Sequence, residues 1–120
     1  MSRILIADDS DAIRLVLSDI LEIGQHELVG EAVNGLEAVE KYSEIKPDVL
    51  LLDLAMPKKD GLTVVKEIIS ADSSAKIILI TASDDQKVIK QCVDAGAMET
   101  ISKPFDFDHV LKIISNVASK

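Results

Sequence analysis

The sequence predicts an α/β fold in which a doubly wound parallel sheet carries helices on both faces, and three observations indicate this. Short, nearly continuous apolar runs alternate with longer stretches of helical period. Turn signals such as Asn34-Gly35 and Asp60-Gly61 lie where the two kinds of segment meet. The strongest runs are uninterrupted, which is typical of strands buried on both faces. The predicted order is strand then helix, five times over.

Five segments are predicted to be strands. The strong candidates, which belong at the centre of the sheet, are residues 3–7, 49–53 and 76–81, and the weaker ones are residues 27–32 and 99–102. The segment 27–32 suits an edge because it carries Glu27 and Glu31. The central run LLLDLAMP at 50–57 ends on a carboxylate, Asp53, although an aspartate is rarely buried without a partner. Something near Asp53 must therefore offset its charge.

Three of the predicted helices carry apolar side chains at the spacing of a single face. In the first helix these are Ile13, Val16, Leu17, Ile20 and Leu21; in the fourth they are Ile89, Cys92 and Val93; in the fifth they are Val110, Leu111, Ile114, Val117 and Ala118. Ser83 or Asp84 can cap the fourth helix, which is predicted to begin near Asp85 and to be ended by Gly96.

Length and composition narrow the function classes. A chain of 120 residues suits one domain, so we expect residues 1–120 to form a single domain without an output domain. The side chains are 48% hydrophobic but only 2% aromatic, which predicts an aliphatic core and no base-stacking platform. The formal net charge of −8 argues against nucleic acid as a direct partner.

The remaining composition features have ordinary interpretations. Cys92 is the one cysteine, so we expect a core residue and neither an intrachain disulfide nor a thiolate metal cluster. His26 and His109 lack metal-ligand spacing and are interpreted as unrelated surface or edge residues. The amino terminus is apolar for too few residues to predict a signal peptide or a membrane span, so the expected location is the cytoplasm.

Polar side chains follow four of the predicted strands. Asp8 and Asp9 end the first, Asp53 the third and Thr81 the fourth, and the fifth leads to Lys103. Parallel strands bring their carboxyl ends to one edge of the sheet, where ligands bind in such folds. Taken singly, each side chain has a structural interpretation: Asp8-Asp9 could cap a helix, Thr81 could finish a strand and Lys103 could be a solvated lysine. Their joint placement predicts a site instead.

The predicted site favours a divalent cation and phosphoryl chemistry. Two carboxylates 4 Å apart repel by roughly 4 kcal/mol at an effective dielectric constant of about 20, so three of them call for a cation such as Mg²⁺. A carboxylate beside a metal, a lysine and a hydroxyl can hold a phosphoryl group in line with a carboxylate nucleophile. Gly-rich phosphate loops and a Ser-His-Asp order do not follow the strands. Asp60, before Gly61, is interpreted as turn and cap chemistry alone.

The motifs ILIADDS at 4–10, LLLDLAMPKKDG at 50–61, ILITAS at 78–83 and SKPF at 102–105 closely resemble the receiver domains of two-component response regulators, especially single-domain CheY-like proteins. The resemblance spans essentially the whole chain. It implies a flavodoxin-like (βα)5 fold with strand order 2-1-3-4-5. It also implies a cis peptide bond between Lys103 and Pro104.

The resemblance assigns a role to each site residue. Asp53 would be the phosphoacceptor, Thr81 the switch hydroxyl and Lys103 the ammonium that contacts the phosphoryl group. The Mg²⁺ ligands would be Asp9, Asp53, the backbone carbonyl of Ala55 and, mainly through water, Asp8. The phosphodonor would be a sensor histidine kinase. A target protein would contact the fourth helix, fifth strand and fifth helix, and a phosphatase is a further implied partner. The chain would catalyse only its own phosphorylation and dephosphorylation, and we expect a monomer.

Three positions depart from the family pattern. Thr100 stands where many receivers carry an inward-turning Tyr or Phe, so we expect the output surface to switch through backbone movement around Ser83 to Lys87. Ala55 and Ser83 are small, where larger side chains would govern access of the hydrolytic water. The lifetime of the phosphoryl group therefore stays open.

Several alternatives remain open. Chemotaxis is the first pathway to test, and a phosphorelay intermediate or a regulator of another pathway follows closely. A Mg²⁺-dependent phosphohydrolase with an aspartyl nucleophile is a rival, although such enzymes usually carry a second Asp where this chain has Ala55. A receiver-like module that works without phosphorylation is a minor alternative.

Overall fold

The computed structural model describes residues 2–56, 58–81, 86–103 and 105–120. Strands and helices alternate along these residues in the predicted order. The strands are β1 (Arg3–Ala7), β2 (Glu27–Ala32), β3 (Val49–Asp53), β4 (Ile77–Thr81) and β5 (Glu99–Ser102). The helices are α1 (Asp11–Ile23), α2 (Gly35–Ile45), α3 (Gly61–Ala71), α4 (Gln86–Asp94) and α5 (Phe107–Ala118). The strand β4 begins one residue after its predicted start, although the carbonyl of Lys76 still accepts a hydrogen bond from Leu50 N at 2.9 Å.

All strand pairs are parallel, and the sheet has the order β2-β1-β3-β4-β5. This is the order that the resemblance implies, and it places β2 at an edge as predicted. The register aligns Ala7 with Leu52, Asp53 with Ile80, and Thr81 with Ser102. The residues that end β1, β3, β4 and β5 therefore meet at a single edge, which we call the carboxyl edge of the sheet.

The central strands separate two aliphatic clusters, one on each face of the sheet. Leu5, Leu50 and Leu52 belong to the cluster beneath α2, α3 and α4. Ile4, Ile6 and Leu51 belong to the cluster beneath α1 and α5. Side chains alternate between the two faces along a strand, and both faces are covered, so the runs are apolar at every position. Tyr42 of α2 packs into the first cluster and its hydroxyl donates to Asp72 Oδ2 at 3.0 Å.

The predicted helix faces are confirmed in their centres and wrong at their margins. Leu17, Ile20 and Leu21 of α1 are buried, and so are Cys92 of α4 and Val110, Ile114 and Val117 of α5. Val16 is 43% exposed and Val93 is 45% exposed. Each helix presents only a narrow stripe to the sheet, so an apolar residue at the margin of the predicted face remains in solvent.

Short polar side chains begin the first three helices. Ser10 caps α1, Asn34 caps α2 and Asp60 caps α3, each accepting a hydrogen bond from a backbone N–H three residues on. The cap role predicted for Asp60 is confirmed. Gly96, with φ of +127°, follows the end of α4, and its N–H donates to Val93 O. The predicted α4 caps, Ser83 and Asp84, lie outside the described residues.

The two histidines differ in burial. His26 is half-buried and its Nδ1 accepts a hydrogen bond from Ser2 N at 3.2 Å, whereas His109 is exposed on α5. No described helix combines the length and the apolar composition that a membrane span requires.

Candidate functional site

Asp8 leaves β1 with its backbone still tied to the sheet. Its N–H donates to Ala32 O at 3.0 Å, which continues the β1–β2 pairing by one residue. Its side chain is fully buried, and Oδ1 accepts a hydrogen bond from Ser10 N at 2.9 Å. This fixes Oδ2 on the other side of the carboxylate, where it is buried and has no hydrogen-bond donor among the described residues.

The helix-cap interpretation of Asp8-Asp9 is wrong. The residue that caps α1 is Ser10, whose Oγ accepts a hydrogen bond from Ile13 N at 3.3 Å. Asp9 is exposed at the carboxyl edge and Asp8 is buried beside it. Neither carboxylate is needed to begin the helix, so both are available to the site.

Asp53 is the last residue of β3 and is only 3% exposed. Its Oδ1 accepts a hydrogen bond from Ala55 N at 3.1 Å, in the turn that follows the strand. The N–H of Leu54 donates to Ile80 O at 3.2 Å and so holds that turn against β4. The carboxylate is thus positioned by backbone from two adjacent strands.

The three carboxylates form one cluster. One oxygen from each of Asp8, Asp9 and Asp53 lies within 4.8 Å of the other two. The pKa of Asp53 is raised above its ordinary value, mainly by burial and further by the charges of Asp8 and Asp9. The Ala55 N–H and the Lys103 ammonium act in the opposite direction. The predicted convergence of these acidic side chains is confirmed.

Lys103 places a positive charge beside this cluster. Its Nζ lies 3.5 Å from Asp8 Oδ2 and 3.9 Å from Asp53 Oδ2, and its side chain is 21% exposed. The interpretation of Lys103 as an ordinary solvated lysine is therefore wrong. Its backbone N–H donates to Thr81 O at 2.9 Å, which joins the ends of β4 and β5. Thr81 itself is buried at the end of β4, one register position beyond the partner of Asp53.

The donor set fits a hard divalent cation. Every side-chain ligand that the cluster offers is a carboxylate oxygen, the class that Mg²⁺ prefers. Among the described residues the buried Asp8 Oδ2 has an ion-pair partner in Lys103 but no hydrogen bond, so it can accept one from water bound to a metal. Asp9 and Ala55 are exposed and leave the cluster open to solvent.

The sequence interpretation missed Arg14. Its guanidinium donates from Nη1 to the backbone carbonyl of Asp8 at 2.8 Å and from Nε to Glu31 Oε1 at 3.0 Å, and it also pairs with Asp11. The available signal was an arginine in the second turn of a helix that begins directly after an acidic pair. Glu31 was interpreted only as an edge-strand polar residue.

The departures from the family pattern are only partly within the described residues. Thr100 lies in β5, is half-buried and pairs with Leu79. Ala55 is exposed, so its methyl group does not cover Asp53. The structure does not describe Ser83 or most of the segment from Ser83 to Lys87. It also does not describe Pro104, so the predicted cis bond between Lys103 and Pro104 lies outside the described residues.

Comparison with known proteins agrees with this geometry. The family model for the response regulator receiver domain matches residues 4–115. The chemotaxis protein CheY of Thermotoga maritima is 41% identical over 116 residues, which cover 97% of this chain and 97% of the relative. The chemotaxis protein CheY of Bacillus subtilis is 44% identical over 113 residues, with 94% of each chain covered.

Solved structures give the same result. A chain in the CheX-CheY-BeF3-Mg+2 complex from Borrelia burgdorferi superposes with a TM-score of 0.93 at 34% identity, covering 98% of this chain and 90% of that chain. The receiver domain of the putative response regulator NarL from Mycobacterium tuberculosis has a TM-score of 0.93 at 29% identity, covering 98% and 96%. With its strand order, its acidic cluster and these matches taken together, the chain belongs to the response regulator receiver domain family.

Proposed function

We propose that this chain is a phosphoaccepting signalling switch in which Asp53 receives a phosphoryl group from a phosphohistidine of a sensor kinase, in a reaction that needs Mg²⁺. The observation that carries the proposal is the position of the buried Asp53 between two other carboxylates and the Lys103 ammonium, at the carboxyl edge of the sheet. A stable fold gains nothing from three such carboxylates, whereas a phosphoryl-transfer site uses them.

The transfer exchanges one bond to phosphorus for another. A carboxylate oxygen of Asp53 attacks the phosphorus atom in line with the leaving imidazole, and the P–N bond breaks with its electron pair remaining on the imidazole nitrogen. The product is an acyl phosphate on Asp53. Hydrolysis resets the switch when water attacks phosphorus, the P–O bond to Asp53 breaks and inorganic phosphate leaves with the carboxylate restored.

The residues of this chain position and neutralise the reacting group. The Ala55 N–H holds Oδ1 of Asp53, and Lys103 lies close enough to contact a phosphoryl oxygen on that carboxylate. Asp9, Asp53 and the carbonyl of Ala55 would hold Mg²⁺, with Asp8 acting mainly through water. The ion, when bound, supplies positive charge that offsets the charge on the phosphoryl oxygens.

The switch would act through protein contacts. The added charge on Asp53 attracts the Thr81 hydroxyl and the Lys103 ammonium, and so biases a two-state equilibrium of the surface that α4, β5 and α5 form. The partners would be the kinase, a target protein and a phosphatase. Relatives named chemotaxis protein CheY support a chemotaxis pathway, and the Borrelia complex of CheX with CheY supports a protein partner of this kind. Because Thr100 has no aromatic ring, backbone movement would couple phosphorylation of Asp53 to the change at this surface.

A beryllofluoride titration tests the proposal. Beryllofluoride with Mg²⁺ mimics an acyl phosphate on aspartate, and amide NMR spectra would be recorded for the wild type and for Asp53→Asn. We expect shifts at Asp53, Thr81 and Lys103 that extend into α4 in the wild type and are lost in the variant. Shifts caused by Mg²⁺ alone, with no further response to beryllofluoride, would contradict a phosphoryl switch and direct attention to phosphatase substrates.

A further inference from the structure

Arg14 joins three elements beneath the acidic cluster. It lies in α1, yet its side chain is only 13% exposed, because it reaches back toward the end of β1 and across to the edge strand β2. Its guanidinium contacts the backbone carbonyl of Asp8, the carboxylate of Glu31 in β2 and the carboxylate of Asp11. The planar guanidinium carries five donors spread over three nitrogens, so it can span contacts that lie farther apart than the single ammonium nitrogen of a lysine can reach.

The contact with Asp8 occurs where the sheet stops supplying hydrogen bonds. The Asp8 N–H still donates to Ala32 O, but the β1 strand ends at Ala7. A buried carbonyl at a strand end needs a donor from elsewhere, and Arg14 Nη1 provides one at 2.8 Å. On its other side, the Asp8 carboxylate accepts from Ser10 N. The backbone and the side chain of Asp8 are therefore both fixed.

We propose that Arg14 is a positioning residue for the metal site, which holds the loop of Asp8 and Asp9 in the geometry that binds Mg²⁺. This inference rests on the proposed function, because the ion is the one that phosphoryl transfer needs. Arg14 would act through the Asp8 backbone and would not touch the ion or the phosphoryl group. The ion pairs with Glu31 and Asp11 orient the guanidinium, so the loop is held in a fixed position relative to β2 and α1.

The charge of Arg14 alone predicts the opposite effect on Mg²⁺ affinity, which makes the inference testable. A guanidinium near a cation site repels the cation, so removing its charge would strengthen Mg²⁺ binding if charge were the whole effect. Removing a positioning residue weakens binding, since outer-shell partners of metal ligands typically contribute about tenfold or more to affinity. Arg14→Lys keeps the charge but cannot span the three contacts, and it separates geometry from charge without a large change in volume.

The experiment is an amide NMR titration with MgCl2 at constant ionic strength for the wild type, Arg14→Lys, Arg14→Met and Lys41→Met. Lys41 is a matched control because its ammonium contacts the Glu31 carbonyl in the same edge strand and makes none of the loop contacts of Arg14. We expect the dissociation constant for Mg²⁺ to rise roughly tenfold in Arg14→Met and by a smaller factor in Arg14→Lys. Lys41→Met should bind Mg²⁺ as tightly as the wild type or more tightly. Urea unfolding of each variant shows whether it is folded under the titration conditions.

Two results would overturn the inference. Unchanged affinity in Arg14→Lys, or tighter binding in a folded Arg14→Met, would mean that Arg14 affects the site only through its charge. If Arg14→Met does not fold, the decision rests on Arg14→Lys alone. Failure of the wild type to bind Mg²⁺ would overturn the proposed function and this inference together, so the two failures can be distinguished by the wild-type titration.

Discussion

Aspartates lie beside strand termini at both ends of the sheet, but the two ends differ in how these carboxylates are buried and hydrogen-bonded. At the amino end, the N–H of Arg3 donates to Asp48 Oδ2 at 2.8 Å and the N–H of Asp48 donates back to Arg3 O at 2.8 Å. The Arg3 guanidinium then donates to the carbonyls of Lys46 and Ile45. The carboxylate at this end is exposed and accepts a direct hydrogen bond.

At the carboxyl end, two of the three clustered aspartates are buried and all three lie within reach of one another. Asp8 Oδ2 has no hydrogen-bond partner in the part of the chain that the structure describes, and the ion pairs to Lys103 are longer than direct hydrogen bonds. One end of the sheet is therefore arranged for stability. The other end retains unfavourable electrostatics that a bound cation or phosphoryl group can relieve.

The largest expected effect comes from removing the Lys103 ammonium, which pairs with two carboxylates of the cluster. Lys103→Met should lower the free energy of unfolding by roughly 2–4 kcal/mol in EDTA at pH 7, because two buried carboxylates lose their counter-charge. Urea unfolding measures it. Lys90→Met is the matched control, since Lys90 makes an exposed ion pair with Asp94 at 3.4 Å that should contribute less than about 0.5 kcal/mol. Equal losses in the two variants would mean that Lys103 stabilises the acidic cluster no more than an exposed ion pair stabilises a helix.

The second largest expected effect is a gain in stability on replacing Asp53. Asp53→Asn should raise the free energy of unfolding at pH 7 without Mg²⁺ by on the order of 1–2 kcal/mol, because it removes one member of the repelling cluster. The pKa of Asp53 is raised in the folded protein, so the folded state binds the proton more tightly than the unfolded chain. The destabilisation by Asp53 is therefore absent below the unfolded pKa and grows as pH rises from there through the folded pKa.

Urea unfolding of the wild type and Asp53→Asn between pH 4 and pH 7.5, in EDTA, measures this divergence. Asp48→Ala at the opposite end of the sheet is the contrasting variant. It should lose about 1 kcal/mol at pH 7, because the Arg3 N–H loses its acceptor. A stability loss in Asp53→Asn at pH 7 would show that the acidic cluster is not under repulsion.

The smallest expected effect concerns His26, beside the amino end of the sheet. Burial lowers the pKa of this imidazole, and Nδ1 accepts a hydrogen bond from Ser2 N, which only the neutral ring can do. The neutral form is favoured in the folded state, so this contribution to stability is present above the unfolded pKa of about 6.5 and is lost as pH falls below it. His26→Gln should flatten the dependence of the unfolding free energy on pH between 7 and 5. An unchanged slope would mean that His26 is not coupled to folding.

Much of the fold could be predicted because a run of apolar residue types is enough to indicate a strand that is buried on both faces. The runs RILIA and VLLLD match the observed strands β1 and β3 residue for residue, since continuous burial requires continuous apolar character. The site could be predicted because parallel strands bring Asp8, Asp53, Thr81 and Lys103 to one edge whatever the details of packing. Here a simple topological rule was sufficient.

The rest depends on three-dimensional packing that linear spacing does not encode. Val16 satisfies the helical period of α1, yet it lies at the margin of the stripe that the sheet covers. In the sequence Arg14 looks like an ordinary surface arginine of a helix, and only the fold places Glu31 and the Asp8 carbonyl around it. Either of two adjacent aspartates could have capped α1, but the cap is Ser10, which has an extended backbone and whose side chain accepts a hydrogen bond from Ile13 N.

Tyr42 has a consequence for spectroscopy. The chain contains one tyrosine and no tryptophan, so ultraviolet emission comes from a single ring that lies between α2 and α3, with its hydroxyl bonded to Asp72. That ring belongs to one face of the sheet and not to the carboxyl edge. Tyrosine fluorescence should therefore report global unfolding with little interference from ion binding. Any change in emission on adding beryllofluoride would reveal movement in a part of the fold that the acidic cluster does not contact.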